Sequence, residues 1–89
     1  MTTYIVTFDV KDKTRLSKLK GVLKDYKFFC PIHENAWAIR VEKKSSEIRD
    51  ELMKHTTAED RLFVIRTGTE AAWKNSYGEK NDEWLKKYL

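Results

Sequence analysis

The sequence predicts an α+β domain. A four-stranded antiparallel sheet carries two helices on one face, and a helical extension follows at the C-terminus. Three observations predict it. Four short segments, Tyr4–Val10, Lys27–Ile32, Asn35–Glu42 and Arg61–Thr67, are rich in β-branched and aromatic residues. Two longer segments, Thr14–Tyr26 and Ser45–His55, carry apolar residues at three- and four-residue spacings. Only His33-Glu34-Asn35 separates the second strand from the third, which makes these two a hairpin.

In Tyr4–Val10 both faces are apolar until Asp9, the pattern of a central strand covered on at least one side. Thr14 is a candidate N-cap for the first helix, whose stripe is Leu16, Leu19, Val22, Leu23 and Tyr26, with lysines opposite. Gly21 inside this helix costs about 1 kcal/mol relative to Ala, and either permits close packing on the sheet or is merely tolerated. Pro31 puts the second strand at an edge, or ends it. Ser45 or Ser46 caps the second helix, Glu47 complements its positive end, and Ile48, Leu52 and His55 share one face. The order β-α-β-β-α-β over residues 1–68 is the ferredoxin-like arrangement. Right-handed crossovers place both helices on one face and leave the other to solvent or a partner.

Residues 69–89 form the extension. Gly68 breaks the fourth strand and Thr69-Glu70-Ala71-Ala72-Trp73 reads as a capped helical turn. Asn81 is a candidate cap for a last helix with Trp84, Leu85, Tyr88 and Leu89 on one stripe. A helix this short is marginal alone, so it must dock on its own domain or on a dimer partner. Trp73, Trp84, Leu85 and Tyr88 are the candidate contacts.

The chain has 89 residues, of which 40% are apolar, so one modest core is available. No apolar run is long enough for a membrane helix, and Met-Thr-Thr-Tyr-Ile lacks a signal-peptide pattern. The single Cys30 forms no internal disulfide and no zinc-type Cys/His spacing occurs. The expectation is a cytoplasmic protein with no membrane association. The net charge of +4 is mild but uneven: between Lys11 and Lys27 seven basic residues face two acidic ones. Lys11, Lys13, Arg15, Lys18 and Lys20 are therefore either a solvated helix face or a surface for RNA or DNA.

Asp9 is the most informative polar residue. At the carboxyl end of a strand it either holds Mg²⁺ or Mn²⁺ through one carboxylate, or satisfies backbone amides of the next turn. Asp12 is a second carboxylate in that turn, flanked by lysines. His33 and His55 are general bases by residue type, but nothing nearby in sequence orients them. Cys30, in an apolar strand, reads as a buried small hydrophobe. The three tryptophans read as core or interface before base-stacking groups.

The first forty residues resemble the CRISPR-associated Cas2 proteins, through Tyr4-Ile5-Val6-Thr7-Phe8-Asp9-Val10, Thr14-Arg15-Leu16-Ser17-Lys18-Leu19-Lys20 and Asn35-Ala36-Trp37-Ala38-Ile39. Nearly the whole chain is similar to the small SinR-family, Cas2-like proteins, through Ser46-Glu47-Ile48-Arg49-Asp50-Glu51-Leu52, Glu70-Ala71-Ala72-Trp73 and Trp84-Leu85-Lys86-Lys87-Tyr88-Leu89. The resemblance extends to the VapD-type ribonucleases. The resemblance implies a ferredoxin-like homodimer associated with nucleic acid. Some relatives are divalent-metal-dependent endonucleases, for which RNA is the favoured substrate here; others are non-catalytic adaptors. It implies Asp9 as the metal ligand. Two departures are visible: Trp73 and a helix stand where a fifth strand usually follows, and the Arg-rich start of the first helix is reduced to Arg15. The alternative is a protein-interaction module of a toxin–antitoxin, defence or phage system, acting through its sheet face and C-terminal tail.

Overall fold

β1 (Thr2–Asp9) is apolar on both faces, and the other elements are arranged to cover it. The computed structural model describes every residue except Thr69. After β1 come α1 (Lys13–Lys24), β2 (Phe28–His33), β3 (Ala36–Val41), α2 (Ser45–Met53), β4 (Arg61–Arg66) and α3 (Glu79–Tyr88). The strands lie in the order β2-β3-β1-β4, and each neighbouring pair is antiparallel. The expected α+β class and four-stranded antiparallel sheet are present, with three helices.

Successive strand residues alternate between faces. Tyr4, Val6, Phe8 and Val10 turn towards α1 and α2, where they meet Leu19, Leu23, Ile48 and Leu52, with Trp37 and Ile39 of β3 beside them. Trp37 stacks on Phe29 at 5.5 Å between ring centroids, so this tryptophan is core. Both crossover helices share this face. On the opposite face Ile5, Cys30, Ile32 and Ala38 meet Trp84 and Leu85 of α3. Asn81 Nδ2 donates to the Pro31 carbonyl at 3.0 Å, and the Arg40 guanidinium lies 4.2 Å from the centre of the Tyr88 ring. α3 thus docks on its own sheet, over the β2 side. Phe63 and Ile65 of β4, on the same face, remain 61% and 50% exposed.

Several local expectations are corrected. Asp12, not Thr14, caps α1: its Oδ2 accepts from the Arg15 amide at 2.9 Å. The expected helical turn begins at Thr69, outside the described residues, and Glu70–Trp73 is irregular rather than helical. Asn81 lies inside α3, which starts after Gly78 at φ 114°, a conformation open to glycine. α2 ends at Met53, so His55 lies beyond the helix and is exposed. Leu85 is turned inward against its own sheet at 2% exposure, which corrects its expected place in a partner contact.

Gly21 lies on the outer face of α1, and a Cβ there would meet nothing within 4 Å. Close packing is therefore not its role, and Gly21→Ala is expected to stabilise the fold by about 0.5–1 kcal/mol. A melting temperature at or below that of the wild type would contradict this. Leu85→Ala is expected to cost about 2–4 kcal/mol in a urea unfolding series, as for other buried leucines. A cost near zero would show that α3 is not held on the sheet.

Candidate functional site

The carboxyl end of β1 is where the chain's polar side chains converge on the face that α3 leaves open. Asp9 pairs in register with Arg61 of β4, and Thr7 with Phe63. Partners in an antiparallel register point to the same face. On the other side of β1, Thr7 pairs with Ala36, and Ala36 with His33 of β2. A register shift between Pro31 and His33 inserts an extra residue into β2. The alternation from Cys30 would otherwise carry His33 to the helix face; this bulge returns it to the open one. The Phe8 amide donates to the Asn35 carbonyl at 3.1 Å and draws the hairpin turn against β1. The result is a shallow cleft lined by Thr7, Asp9, His33, Asn35, Arg61 and Phe63.

Asp9 is exposed and has no hydrogen-bond or ion-pair partner among the described residues. The turn-stabilising role open to it in the sequence belongs to Asp12 instead. Arg61 likewise has no salt bridge among the described residues. The structure brings Asp9 together with His33, Asn35 and Arg61. Of these, the sequence singled out only Asp9 and, weakly, His33.

The basic helix divides into committed and free charges. Arg15, a candidate phosphate contact, is spent internally: its Nε and Nη2 donate to Asp60 at 3.0 Å each. The Asp60 side chain is 1% exposed. Arg15 holds its carboxyl below the ordinary value, helped by the Thr57 amide. Lys20 is paired with Glu34 at 2.8 Å and ties the hairpin turn to α1. Lys11, Lys13 and Lys18 are exposed with no partner among the described residues. At 100° per residue Lys13, Ser17, Lys20 and Lys24 form one stripe, whereas Lys18 lies on the other flank of the helix.

The aromatic tail is organised by Asp82. Its Oδ1 accepts from the Trp73 indole at 2.8 Å and its Oδ2 pairs with Lys86 at 3.0 Å, both of which lower its pKa. Trp84 and Tyr88 meet edge to face at 4.9 Å. Trp73 is the most open of the three tryptophans, at 36% exposed. Burial pushes the Cys30 thiol up, away from the thiolate a nucleophile needs.

Among the described residues no three His, Cys, Asp or Glu side chains gather as a metal site. The cleft offers a single carboxylate, that of Asp9, and a divalent ion would need a second for firm binding.

No family model and no curated protein matches the chain. Among solved structures it is similar to the hypothetical protein TT1823 from Thermus thermophilus, with a TM-score of 0.71 and 18% identity, over 83% of this chain and 90% of that one. At this identity the likeness carries the fold and nothing about function.

The carboxyls of Asp60 and Asp82 titrate below their ordinary value of 3.8. The unfolded chain therefore takes up protons first as pH falls. Their contribution is full above that value and is lost below it. Thermal stability is expected to hold from neutral pH to about pH 5 and to fall below about pH 4. Asp60→Asn should remove part of that acid limb, and an unchanged limb would show that the Arg15–Asp60 pair is not what titrates.

Proposed function

We propose that this chain is a nucleic-acid-associated protein of ferredoxin-like architecture, similar to the Cas2 group, that presents the cleft around Asp9 to a phosphodiester. The observation that carries the reading is Asp9 itself. An exposed carboxylate without a structural partner among the described residues, set opposite Arg61 and in one cleft with His33 two strands away, is arranged for something outside the chain. The β-α-β-β-α-β order and the strand order β2-β3-β1-β4 support the architecture.

Arg61 supplies a fixed positive charge to a phosphate. His33 holds or releases a proton at an imidazole nitrogen within the same cleft. Lys11 and Lys13, where the chain leaves β1 for α1, extend positive charge from the same end of the sheet. A divalent ion on Asp9, when bound, would activate water and offset charge on the leaving phosphate. Completing its ligands with the same carboxylate of a second copy makes a homodimer part of this reading.

A second reading, a protein-interaction module of a toxin–antitoxin, defence or phage system, is favoured by the exposure of Phe63 and Ile65. On that reading, two copies associate through this face, and Ile65→Asp returns the protein to a 10.6 kDa species in sedimentation without changing its melting temperature.

The separating experiment is Asp9→Asn, assayed for RNA and DNA binding and for cleavage with added Mg²⁺ or Mn²⁺. The variant is expected to melt like the wild type, to bind equally or more tightly, and to lose any metal-dependent cleavage. A lowered melting temperature with no change in binding or cleavage would make Asp9 structural and overturn the reading. Lys11→Glu and Lys13→Glu should each weaken binding and flatten its salt dependence, by about one phosphate contact each. Arg15→Glu is not equivalent, because it leaves Asp60 buried without its partner.

A further inference from the structure

We infer that the trough between His33 and Phe63 seats an unstacked base of a single-stranded nucleic acid, with Arg61 on the adjoining phosphate. This rests on the reading of the Asp9 cleft as a phosphodiester site and names the form of substrate it takes.

Four residues, one from each strand, make a row across the open face: His33, Ala36, Thr7 and Phe63. Thr7 forms the floor, Ala36 is buried beside it at 4% exposure, and the two rings at the ends form walls. With strands about 4.8 Å apart, the row spans about 14 Å. Phe63 is 61% exposed and stacks on no aromatic ring among the described residues, unlike Phe29 on Trp37 or Trp84 on Tyr88. Phe63 and Ile65 together leave a contiguous apolar surface bare on one face of an edge strand, the kind of exposure that marks an interaction site. Arg61 lies two residues from Phe63 on the same face, about 7 Å along the strand, and carries no salt bridge among the described residues. A ring and a free guanidinium at this separation match a base and its neighbouring phosphate. A duplex offers no free base face to such a ring, whereas single strands stack readily on aromatic side chains.

A second copy is the competing occupant. Pairing two β4 edges antiparallel about Phe63 would set each Arg61 opposite Ile65 of the other copy, which gives the guanidinium no anionic partner. A polyanion gives it one.

Fluorescence anisotropy at low salt tests the inference, using labelled single-stranded RNA and DNA of about 8 nucleotides, the matched duplexes, and a chain of abasic sites. Single strands are expected to bind at least about ten-fold more tightly than duplexes, and whichever of RNA and DNA binds better identifies the source. Phe63→Ala should weaken single-strand binding by about 5- to 100-fold, and Phe63→Trp should retain it. Phe63→Ala should have no effect on the abasic chain. Arg61→Gln should weaken binding and lower the salt slope by about one. Wild-type binding that is unchanged in Phe63→Ala, or that is equal for duplex and single strand, overturns this inference and leaves the phosphodiester reading standing. No binding of any nucleic acid by the wild type overturns both. A change in sedimentation of Phe63→Ala with no change in binding assigns the face to self-association and also overturns it.

Discussion

A central strand that is apolar on both faces is the constraint on which this small structure depends. In β1, Tyr4, Val6 and Phe8 alternate with Ile5 and Thr7, so neither face can be left fully in water. Strands of this kind need cover on both sides. Two crossover helices supply one side. The second side falls to α3, the last ten-residue helix, which is too short to persist without it. Its burial of Leu85 over Cys30 and Ala38 therefore stabilises the helix and the sheet together. Because α3 sits over the β2 side, the β4 side of the same face is left bare. The exposed row of Arg61, Phe63 and Ile65 is thus a consequence of how β1 is covered.

Charge on α1 follows a similar division. A run of basic residues suggests a uniform cationic face, yet the fold consumes part of it. Arg15 clamps the start of α1 to Asp60 ahead of β4, and Lys20 holds the hairpin turn through Glu34. Both clamps act at the end of the sheet where Asp9 lies: the first holds the loop that leads into Arg61, the second the turn that carries His33 and Asn35. Exposed pairs contribute little stability, so Lys20–Glu34 matters more for position than for energy. The enclosed Asp60 is different, since removing Arg15 would leave a desolvated carboxylate unpaired. Lys11, Lys13, Lys18 and Lys24 have no ion-pair partner among the described residues.

Much of the architecture was legible because the periodicities were clean. The two-residue alternation of β1 and the three- and four-residue spacing of Leu16, Leu19 and Leu23 led directly to strand and helix. Element ends were less so, since Asp12 and Thr14 are both good caps and only geometry chooses between them. In the tail, Asn81 had the chemistry of a cap, but its amide is better satisfied by the Pro31 carbonyl, a contact fifty residues away. Of the cleft, Asp9 was legible as a polar residue ending an apolar strand. Arg61 and Phe63 were not, because a strand written Arg-Leu-Phe-Val-Ile-Arg does not say which alternate set faces water. Their signal lay in topology: a fourth strand antiparallel to the first must bring its start to the end that carries Asp9. His33 was hidden more deeply, since a one-residue bulge decides its face and no residue pattern announces it.

The claim that the open half of this sheet face is the working surface is tested most directly by residue-resolved amide chemical shifts during titration with a short single-stranded oligonucleotide. The expected shifts run along Thr7, Asp9, His33, Arg61 and Phe63 and extend to Lys11 and Lys13, while Leu85 of α3 and Cys30 and Ala38 beneath it stay unchanged. Shifts confined to Trp73 and α3, with none along β4, would contradict it.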